Sequence, residues 1–315
     1  MKLGFVMDPV QNVNVREDTT FALMLAAQAR GWDIYYIRPQ DLGAREDAVW
    51  AQIHQVEVRP DPEDKVTFGD SAYAPLHGLD CIWMRKDPPF DTTYLYEANL
   101  LELAQRKGCL VINEPRGLRA ANEKLYSLHF PELTPATVVT SEAKRILEFM
   151  ADQDNRCVIK PLSGHGGEGV FVLEEGDRNL NALIEMSTSH GSVPVMCQEY
   201  LPEARQGDKR IILLDGQPLG AILRVPRDEE HRSNIHVGGV VEKTTLSQRE
   251  QHICDVVGPR LVEDGLTFVG IDVIGERLTE VNVTSPTGIQ EMSRLDGIDG
   301  ADRVMEWIDE QVASS

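Results

Sequence analysis

The sequence lacks any apolar stretch of about 18 residues, the length that a transmembrane helix needs, and its first residues, MKLGFVMDPV, hold too short an apolar run for a signal peptide. Cysteine is scarce as well. The five cysteines are odd in number, widely spaced and without a C-x-x-C metal motif: Cys81, Cys109, Cys157, Cys197 and Cys254. Such cysteines are typical of small core residues in a reducing compartment, so we expect a cytoplasmic protein that does not contact a membrane.

Positive charge is also in short supply, because 31 basic residues face 51 acidic ones and the formal net charge is −20. This balance argues against nucleic acid or an anionic membrane as a partner. It also makes each basic residue inside an apolar segment informative, because an unpaired cation there is costly and a bound anion would offset that cost. At 315 residues, the chain is long enough for two or three domains.

The predicted secondary structure changes in character near residue 113. Before it, strands and helices alternate with capping residues at their ends, which predicts a parallel sheet covered by helices. Residues 44–78 lack this rhythm and are expected to form an irregular loop. After residue 113, a helix is expected at Leu118–Leu128. Antiparallel hairpins then dominate, and one of them has the strong turn signal Asp215-Gly216. The predicted fold class is α/β and α+β, with an N-terminal parallel α/β domain before antiparallel sheets.

The stretch IKPLSGHGGEGVFVL, residues 159–173, holds four glycines within six positions. It formally matches the dinucleotide fingerprint G-x-G-x-x-G, but that fingerprint needs a helix after the loop, and here an apolar β-branched run follows. The Walker pattern fails too, because no Lys-Ser or Lys-Thr follows. Two interpretations remain, an ordinary glycine-rich turn or a hairpin flap whose amides cover a polyphosphate beside Lys160.

A second signal is the hairpin FVGIDVIGERLTEVNV, residues 268–283, where Asp272, Glu280 and Asn282 interrupt a run of Val and Ile. Glu280 and Asn282 share one strand face, and Asp272 joins them if the loop has an odd residue count, such as 275–277. A two-residue loop would send Asp272 to the other face. On one face, the three oxygen-bearing side chains would suit Mg²⁺, and the alternative is an exposed polar strand face.

Six basic residues lie in apolar or glycine- and proline-marked segments: Arg85, Lys124, Lys160, Arg210, Arg224 and Arg232. For any one of them a salt bridge to a surplus acid is a sufficient explanation. Together with the glycine loop and the carboxylate hairpin, they indicate an anion site suited to ATP. No nucleophile–base motif accompanies them, and His165 and His236 are interpreted as solvated loop residues.

These features follow an order that resembles the ATP-grasp superfamily: Lys124, Lys160 with its glycine loop, QEYLP, GDKRIILLDG and GIDVIGERLTEVNVTSP. Four segments are more closely similar to the bacterial glutathione synthetase family: VMDPVQNVNVREDTTF, MRKDPPFDT, NEKLYSLHFPELTP and RLTEVNVTSPTGIQE. The resemblance runs over nearly the whole chain. It implies an N-terminal substrate-binding domain at residues 1–120, followed by a two-lobed ATP-grasp domain with lobes at residues 121–201 and 202–315.

The resemblance also implies roles for individual residues. ATP would be held by Lys124, Lys160, Ser163, Gly164, Gly166, Gly167, Gly169, Glu199, Tyr200, Leu201 and Asp208. Residues that face the transferred phosphoryl group or cover it would be Arg210, Arg224, Arg232 and Asn234, the last two on a covering loop at residues 226–239. The dipeptide would meet Arg85, Ser285, Pro286 and Thr287, and Mg²⁺, or Mn²⁺ in its place, would be held by Asp272, Glu280 and Asn282. This chain has Ser163 and His165 where the family has an acidic and an apolar residue.

The implied reaction joins glycine to the cysteinyl carboxylate of γ-glutamylcysteine through an acyl phosphate, giving glutathione, ADP and phosphate in a homo-oligomer, a tetramer in the family. One alternative is another ATP-grasp carboxylate–amine ligase, such as an amino-acid or D-alanine ligase. The other is a non-catalytic ATP-binding module. The MRKDPPFD and NVTSPTG stretches argue against the first, and the intact set of Arg210, Asp272, Glu280 and Asn282 argues against the second.

Overall fold

The computed structural model describes residues 1–164, 166–226 and 240–314, and three sheets lie within them. The first sheet has the strand order β3-β4-β2-β1-β6-β7, with β5 paired to β4. Its strands are β1 (Lys2–Val6), β2 (Asp33–Ile37), β3 (Gly43–Arg45), β4 (Ala48–Val58), β5 (Val66–Pro75), β6 (Cys81–Met84) and β7 (Leu110–Ile112). The pairs of β1 with β2 and β6, and of β6 with β7, are parallel, as the alternating pattern predicts.

The expected irregular loop at residues 44–78 is wrong. Strands β4 and β5 form a long antiparallel hairpin that extends the sheet beyond β2. The hairpin was missed because β5 is almost wholly exposed and Gly69, Asp70 and Ser71 interrupt its apolar residues, so no sustained alternation marks it as a strand. The sheet is therefore mixed, with a parallel centre and an antiparallel edge.

Helices cover this sheet, and two of them begin at acidic N-cap residues. Asp18 accepts a hydrogen bond from the backbone N–H of Phe21 at the start of α1 (Thr19–Ala29), and Asp91 accepts one from Tyr94 at the start of α2 (Thr92–Gln105). None of the helices in the described ranges is both long and apolar enough to cross a lipid bilayer.

The helix expected at Leu118–Leu128 is wrong in its extent. Helix α3 (Pro115–Ala120) ends early, and a short 3₁₀ helix follows at Leu125–His129. The Asn122 side-chain oxygen accepts hydrogen bonds from the N–H groups of Lys124 and Leu125, which gives the backbone a local alternative to the helix. The break points Lys124 toward the centre of the molecule.

The second sheet is antiparallel, with the order β10-β9-β11-β8. Its strands are β8 (Thr137–Thr140), β9 (Arg156–Pro161), β10 (Phe171–Glu174) and β11 (Val195–Glu199), and its helices are α4 (Ala143–Asp152) and α5 (Leu180–Ser187). The glycine-rich loop connects β9 to β10, which pair antiparallel. The hairpin interpretation of that loop is confirmed.

The third sheet has the order β14-β13-β12-β15-β16 and lies against the first. Its strands are β12 (Asp208–Leu214), β13 (Gln217–Val225), β14 (Val240–Lys243), β15 (Phe268–Ile274) and β16 (Arg277–Asn282), and its helices are α6 (Gln248–Glu263), α7 (Ile289–Asp296) and α8 (Gly300–Ser314). The turn at Asp215-Gly216 has positive φ at both residues, as a tight two-residue hairpin requires.

A shared core joins the first and third sheets. The ring of Trp83 packs against Phe5 and, edge-on, against Phe268, with ring centroids 6.4 and 5.4 Å apart. Just after β7, the amide of Asn113 donates to the carbonyl oxygens of Phe268 and Val283 and accepts from the N–H of Phe268. The two sheets are thus fixed to each other at the end of the strands where the cleft opens. All five cysteines are buried, as expected of core residues, and all are free thiols.

Candidate active site

A cleft of about 1320 Å³ lies among the three sheets. Most of the residues that the family resemblance singled out line it: Lys124, Lys160, Gly164, Gly166, Gly167, Gly169, Glu199, Tyr200, Leu201, Asp208, Arg210, Arg224, Asp272, Glu280, Asn282, Ser285, Pro286 and Thr287. Ser163, exposed on the flap, and Arg85, buried and bonded to the cleft residue Pro286, are not among the residues that line it. Arg232 and Asn234, with His165 and His236, lie outside the described residues.

The hairpin of β15 and β16 brings Asp272 opposite Glu280, as the interpretation of a shared face requires. The loop prediction itself is wrong, because the turn has two residues, Gly275 and Glu276, instead of three. A β-bulge restores the register: Thr279 is the extra residue on β16, and its hydroxyl donates to the carbonyl oxygen of Asp272. The neighbouring Ile271 and Val281 are fully buried on the other face.

Asp272 is the centre of a buried charge network. Arg210 donates to both of its carboxylate oxygens, from Nη2 at 2.9 Å and from Nε, in the fork geometry that guanidinium groups favour. Arg224 lies 3.0 Å from the same carboxylate and also pairs with Asp208. Asn282 donates to Asp272 at 3.2 Å from the adjacent strand. The register of β12, β13, β15 and β16 thereby aligns two cations with two carboxylates.

The pKa values of the two carboxylates of this network are shifted in opposite directions. Burial alone would raise the pKa of Asp272, but the guanidinium groups of Arg210 and Arg224 hold that pKa well below its usual range. Burial raises the pKa of Asp208 to about 6, with Arg224 opposing the shift and Asp272 adding to it. Asp272 is therefore the anion that the two arginines stabilise most.

Two lysines reach the cleft from different elements. Lys124 Nζ donates to the carbonyl oxygen of Gly164 at 2.6 Å and to Glu280 Oε1 at 3.0 Å, so it links the glycine flap to the carboxylate hairpin. Lys160 Nζ donates to Gln198 Oε1 at 2.6 Å. Burial lowers the pKa of Lys160, and the charge of Glu280 opposes that shift.

The glycine flap uses glycine for steric reasons at two of its positions. Gly166 has a φ of +61°, in the left-handed region. At Gly164, a Cβ atom would lie 2.7 Å from Pro161 and 3.0 Å from the carbonyl oxygen of Glu168. The backbone can therefore close over the cleft only because side chains are absent.

The segment after β11 forms the wall beside the flap sheet. The ring of Tyr200 is covered by the guanidinium group of Arg156, 3.8 Å from its centroid. The backbone N–H of Glu199 donates to Ala136, which ties this segment to the strand beside it. Glu199, Tyr200 and Leu201 together line the cleft.

Arg85 connects the N-terminal sheet to the segment after β16. It donates from Nε to Thr20 and from Nη2 to the carbonyl oxygen of Pro286, 2.9 Å away, and its guanidinium group lies 5.7 Å from the ring centroid of Phe268. Its Nη1 is buried and has no hydrogen-bond partner among the described residues. Burial lowers the pKa of Arg85, and Asp18 and Asp87 oppose that effect.

Three residues of the cleft were missed by sequence reasoning, although their segments were quoted. Glu123 Oε1 accepts hydrogen bonds from the N–H groups of Val283 and Thr284 and from the Thr284 hydroxyl, so it orients the segment before Ser285. Gln198 accepts from Lys160 and is buried. Glu291 is buried and lines the cleft from α7. Glu123 and Gln198 depend on partners far away in the chain, and the position of Glu291 depends on the packing of α7 against α1. No local pattern reveals either.

The predicted metal ligands were tested by the chemistry of their donor set. No group of three or more His, Cys, Asp and Glu side chains suited to a metal lies within the described ranges. Asp272 and Glu280 supply two carboxylates in register, and Asn282 adds an amide oxygen on the same face. This set fits an ion such as Mg²⁺, which usually binds one or two carboxylates and completes its shell with water and substrate phosphates.

Solved structures with a similar fold define the class. The chain superposes on the ATP-grasp ligase PsnB with a TM-score of 0.64 and 17% identity, covering 98% of both chains. It superposes on D-cycloserine synthetase DcsG with a TM-score of 0.62 and 14% identity, covering 98% of this chain and 100% of that one. The fold is that of the ATP-grasp ligases.

Sequence comparisons define the family within that class. The N-terminal domain of prokaryotic glutathione synthetase matches residues 1–119, and its ATP-grasp domain matches residues 123–297. Glutathione synthetase of Gloeobacter violaceus is 49% identical over 98% of this chain and 96% of its own length, and that of Coxiella burnetii is 42% identical over 100% and 98%. The chain belongs to the prokaryotic glutathione synthetase family.

Proposed function

We propose that this protein joins glycine to the cysteinyl carboxylate of γ-glutamylcysteine with ATP, forming glutathione, ADP and phosphate. The observation that carries the proposal is the full-length identity to glutathione synthetases, together with a cleft that holds nearly every residue the family resemblance singled out. The protein is an ADP-forming carboxylate–amine ligase of the ATP-grasp class.

ATP would lie between the flap sheet and the third sheet. Lys124 and Lys160 would bind the phosphates, with the amides of Gly164, Gly166, Gly167 and Gly169 closing over them and Ser163 at the edge of the flap. Glu199, Tyr200 and Leu201 would bind the adenine through backbone groups, and Asp208 would lie near the ribose. The support is that all but Ser163 line one cleft.

The transfer step needs fixed positive charge more than it needs covalent chemistry. Arg210 and Arg224 would neutralise the γ-phosphoryl group as it moves to the dipeptide's carboxylate, giving an acyl phosphate that the glycine amine attacks. Their fork and ion pairs to Asp272 and Asp208 hold them in place before substrate arrives. Arg232 and Asn234 lie outside the described residues, and their role in covering the acyl phosphate rests on the family resemblance alone.

Asp272, Glu280 and Asn282 would hold Mg²⁺, or Mn²⁺ in its place. When bound, the ion would neutralise phosphate charge. Glu280 also pairs with Lys124, which lets one carboxylate orient both a phosphate-binding lysine and the metal face. Arg85, Ser285, Pro286 and Thr287 would bind the dipeptide, and the support is the Arg85 contact to the carbonyl oxygen of Pro286.

The test is ADP release by the purified protein with ATP, Mg²⁺ and γ-glutamylcysteine, with and without glycine. Glycine-dependent ADP release and glutathione formation are expected. Robust ADP release with D-alanine or glutamate and none with γ-glutamylcysteine would favour the other ligases, and no ADP release with any carboxylate would favour a non-catalytic ATP-binding module. A homotetramer and divisions at residues 120 and 201 are further proposals from the family resemblance, and a cytoplasmic location is a further proposal from the cysteine pattern.

A further inference from the structure

Glu291 on α7 is a buried carboxylate without a hydrogen-bond donor among the described residues. Glu291 is 1% exposed and lines the cleft. Neither of its carboxylate oxygens has a hydrogen-bond partner among the described residues. Arg294 Nη2 lies 3.8 Å from Glu291 Oε1, beyond hydrogen-bond distance, and the Arg294 side chain is more than half exposed. A buried carboxylate without donors loses its hydration and gains nothing in exchange.

The position of Glu291 in its helix does not explain this arrangement. It is the third residue of α7, where a glutamate commonly accepts from the N-cap backbone N–H. Here that N–H, on Gly288, donates to the hydroxyl of Thr19 instead. The equivalent glutamate of α6, Glu250, accepts from both Ser247 N and Lys209 Nζ, so it has the donors that Glu291 lacks.

The residues around Glu291 favour the binding of a cationic group of a ligand. Helix α7 is fixed to the start of α1, because Gln290 donates to the carbonyl oxygen of Asp18 at 2.6 Å. Glu17 and Asp18 also line this part of the cleft. Burial raises the pKa of Glu291, its own backbone N–H and Arg294 oppose that shift, and the charge of Glu17 adds to it. The positive charge of a bound ammonium group would oppose the rise and favour the carboxylate form.

The orientation of the substrate follows from the reacting ends. The dipeptide's cysteinyl carboxylate must meet the phosphoryl group near Arg210, whose Nη1 contacts the carbonyl oxygen of Thr287. Its γ-glutamyl end then points away from the nucleotide. A γ-linkage leaves an ammonium and a carboxylate free on one carbon. Arg85 is a buried cation that donates to the carbonyl oxygen of Pro286, and its Nη1 has no hydrogen-bond partner among the described residues.

We propose that Glu291 binds the α-ammonium group of the γ-glutamyl moiety and makes the site specific for a dipeptide that carries it. This inference rests on the proposed function. Arg85 would bind the α-carboxylate of the same moiety, so that each charged group of the substrate meets a side chain of opposite charge.

The test compares γ-glutamylcysteine with glutarylcysteine, which lacks only the ammonium group, by ADP release at saturating ATP and glycine. The wild-type protein should have a KM for glutarylcysteine roughly 10- to 100-fold higher. Glu291→Gln should raise the KM for γ-glutamylcysteine by a similar factor, leave kcat within a few-fold and leave the KM for glutarylcysteine unchanged. The preference should then disappear.

Glu17→Gln is the matched control, since it removes the same charge from an exposed side chain of the same part of the cleft. It should keep most of the preference for γ-glutamylcysteine. Equal losses on both substrates in Glu291→Gln, or an undiminished preference, would overturn the proposal. So would a wild-type protein that accepts both substrates equally, a result that needs no variant to fold. Absence of ADP release with γ-glutamylcysteine would instead defeat the proposed function.

Discussion

The third sheet and the flap sheet build their halves of the cleft by opposite means. The third sheet presents side-chain charges that are already paired and buried, with Arg210, Arg224 and Asp272 each at most 6% exposed. The flap sheet presents a loop of glycine backbone that is partly exposed along its described length. The half built by the third sheet consists of buried ion pairs, whereas the half built by the flap sheet is a partly exposed hairpin loop.

The difference fits the demands of phosphoryl transfer. Charges that stabilise a transition state are most effective when they are fixed in a site of low dielectric before the reaction begins. A nucleotide cover must let ATP enter and ADP leave, which favours a segment with few packing contacts. Damage to the third sheet should therefore affect both stability and turnover, whereas damage to the flap should affect nucleotide binding alone.

The largest effect is expected from Asp272→Asn. The change leaves Arg210 and Arg224 without the carboxylate that pairs with both, and removing one partner of a buried ion pair costs about 3–5 kcal/mol. Chemical denaturation should show a loss of this size in the free energy of unfolding, and ADP release should be abolished. An unchanged unfolding free energy would mean that the network does not stabilise the sheet.

Glu280→Gln separates turnover from stability within the same hairpin. The Glu280 side chain is 25% exposed and its ion pair with Lys124 lies at the cleft surface, so the free energy of unfolding should fall by only about 1 kcal/mol. Turnover should fall by two orders of magnitude or more (about 3 kcal/mol), since a carboxylate that would hold Mg²⁺ beside the transferred phosphoryl group is lost. Near-normal kcat, measured by ADP release at saturating substrates, would contradict the proposed role of this carboxylate.

The pH dependence of stability should reveal the unequal carboxylates of the network. The pKa of Asp208 in the folded protein, about 6, is higher than that of an unfolded aspartate. Between about pH 4 and pH 6 the folded state therefore binds more protons at this residue, and its contribution to the free energy of unfolding falls as pH rises, on the order of 2 kcal/mol.

Unfolding curves of the wild-type protein and of Asp208→Asn, compared across this pH range, check the sign. The difference in unfolding free energy, wild type minus variant, should decrease with rising pH. A difference that increases would show that Arg224 outweighs burial and that the pKa of Asp208 is lowered.

The two halves also differ in how far the sequence predicts them. The flap hairpin is local, so glycines between two apolar runs suffice to predict it. The pairing of Asp272 with Glu280 was expected only for a loop with an odd residue count. The bulge at Thr279, which pairs them across a two-residue turn, cannot be inferred from alternation, since one extra residue changes no local propensity. The ion pairs of Arg210 and Arg224, and the position of Glu291 beside α1, depend on how separate elements pack together. The exposed strand β5 was missed because its pairing with β4, and not a buried face of its own, makes it a strand.

The smallest effect is expected in the flap, where two glycines allow a matched comparison. A Cβ atom at Gly164 would meet Pro161 and the carbonyl oxygen of Glu168. A Cβ atom at Gly166 would have no described atom within 4 Å. The φ of Gly166, +61°, nevertheless disfavours any other residue there by about 1 kcal/mol. Gly164→Ala must therefore move the flap backbone, including the carbonyl oxygen that accepts from Lys124. We expect the KM for ATP to rise roughly 10-fold in Gly164→Ala and a few-fold in Gly166→Ala, with the KM for γ-glutamylcysteine and the unfolding free energy little changed. If Gly164→Ala instead lowered the unfolding free energy as much as Asp272→Asn does, the flap would be part of the rigid half, and the contrast between the two sheets would fail.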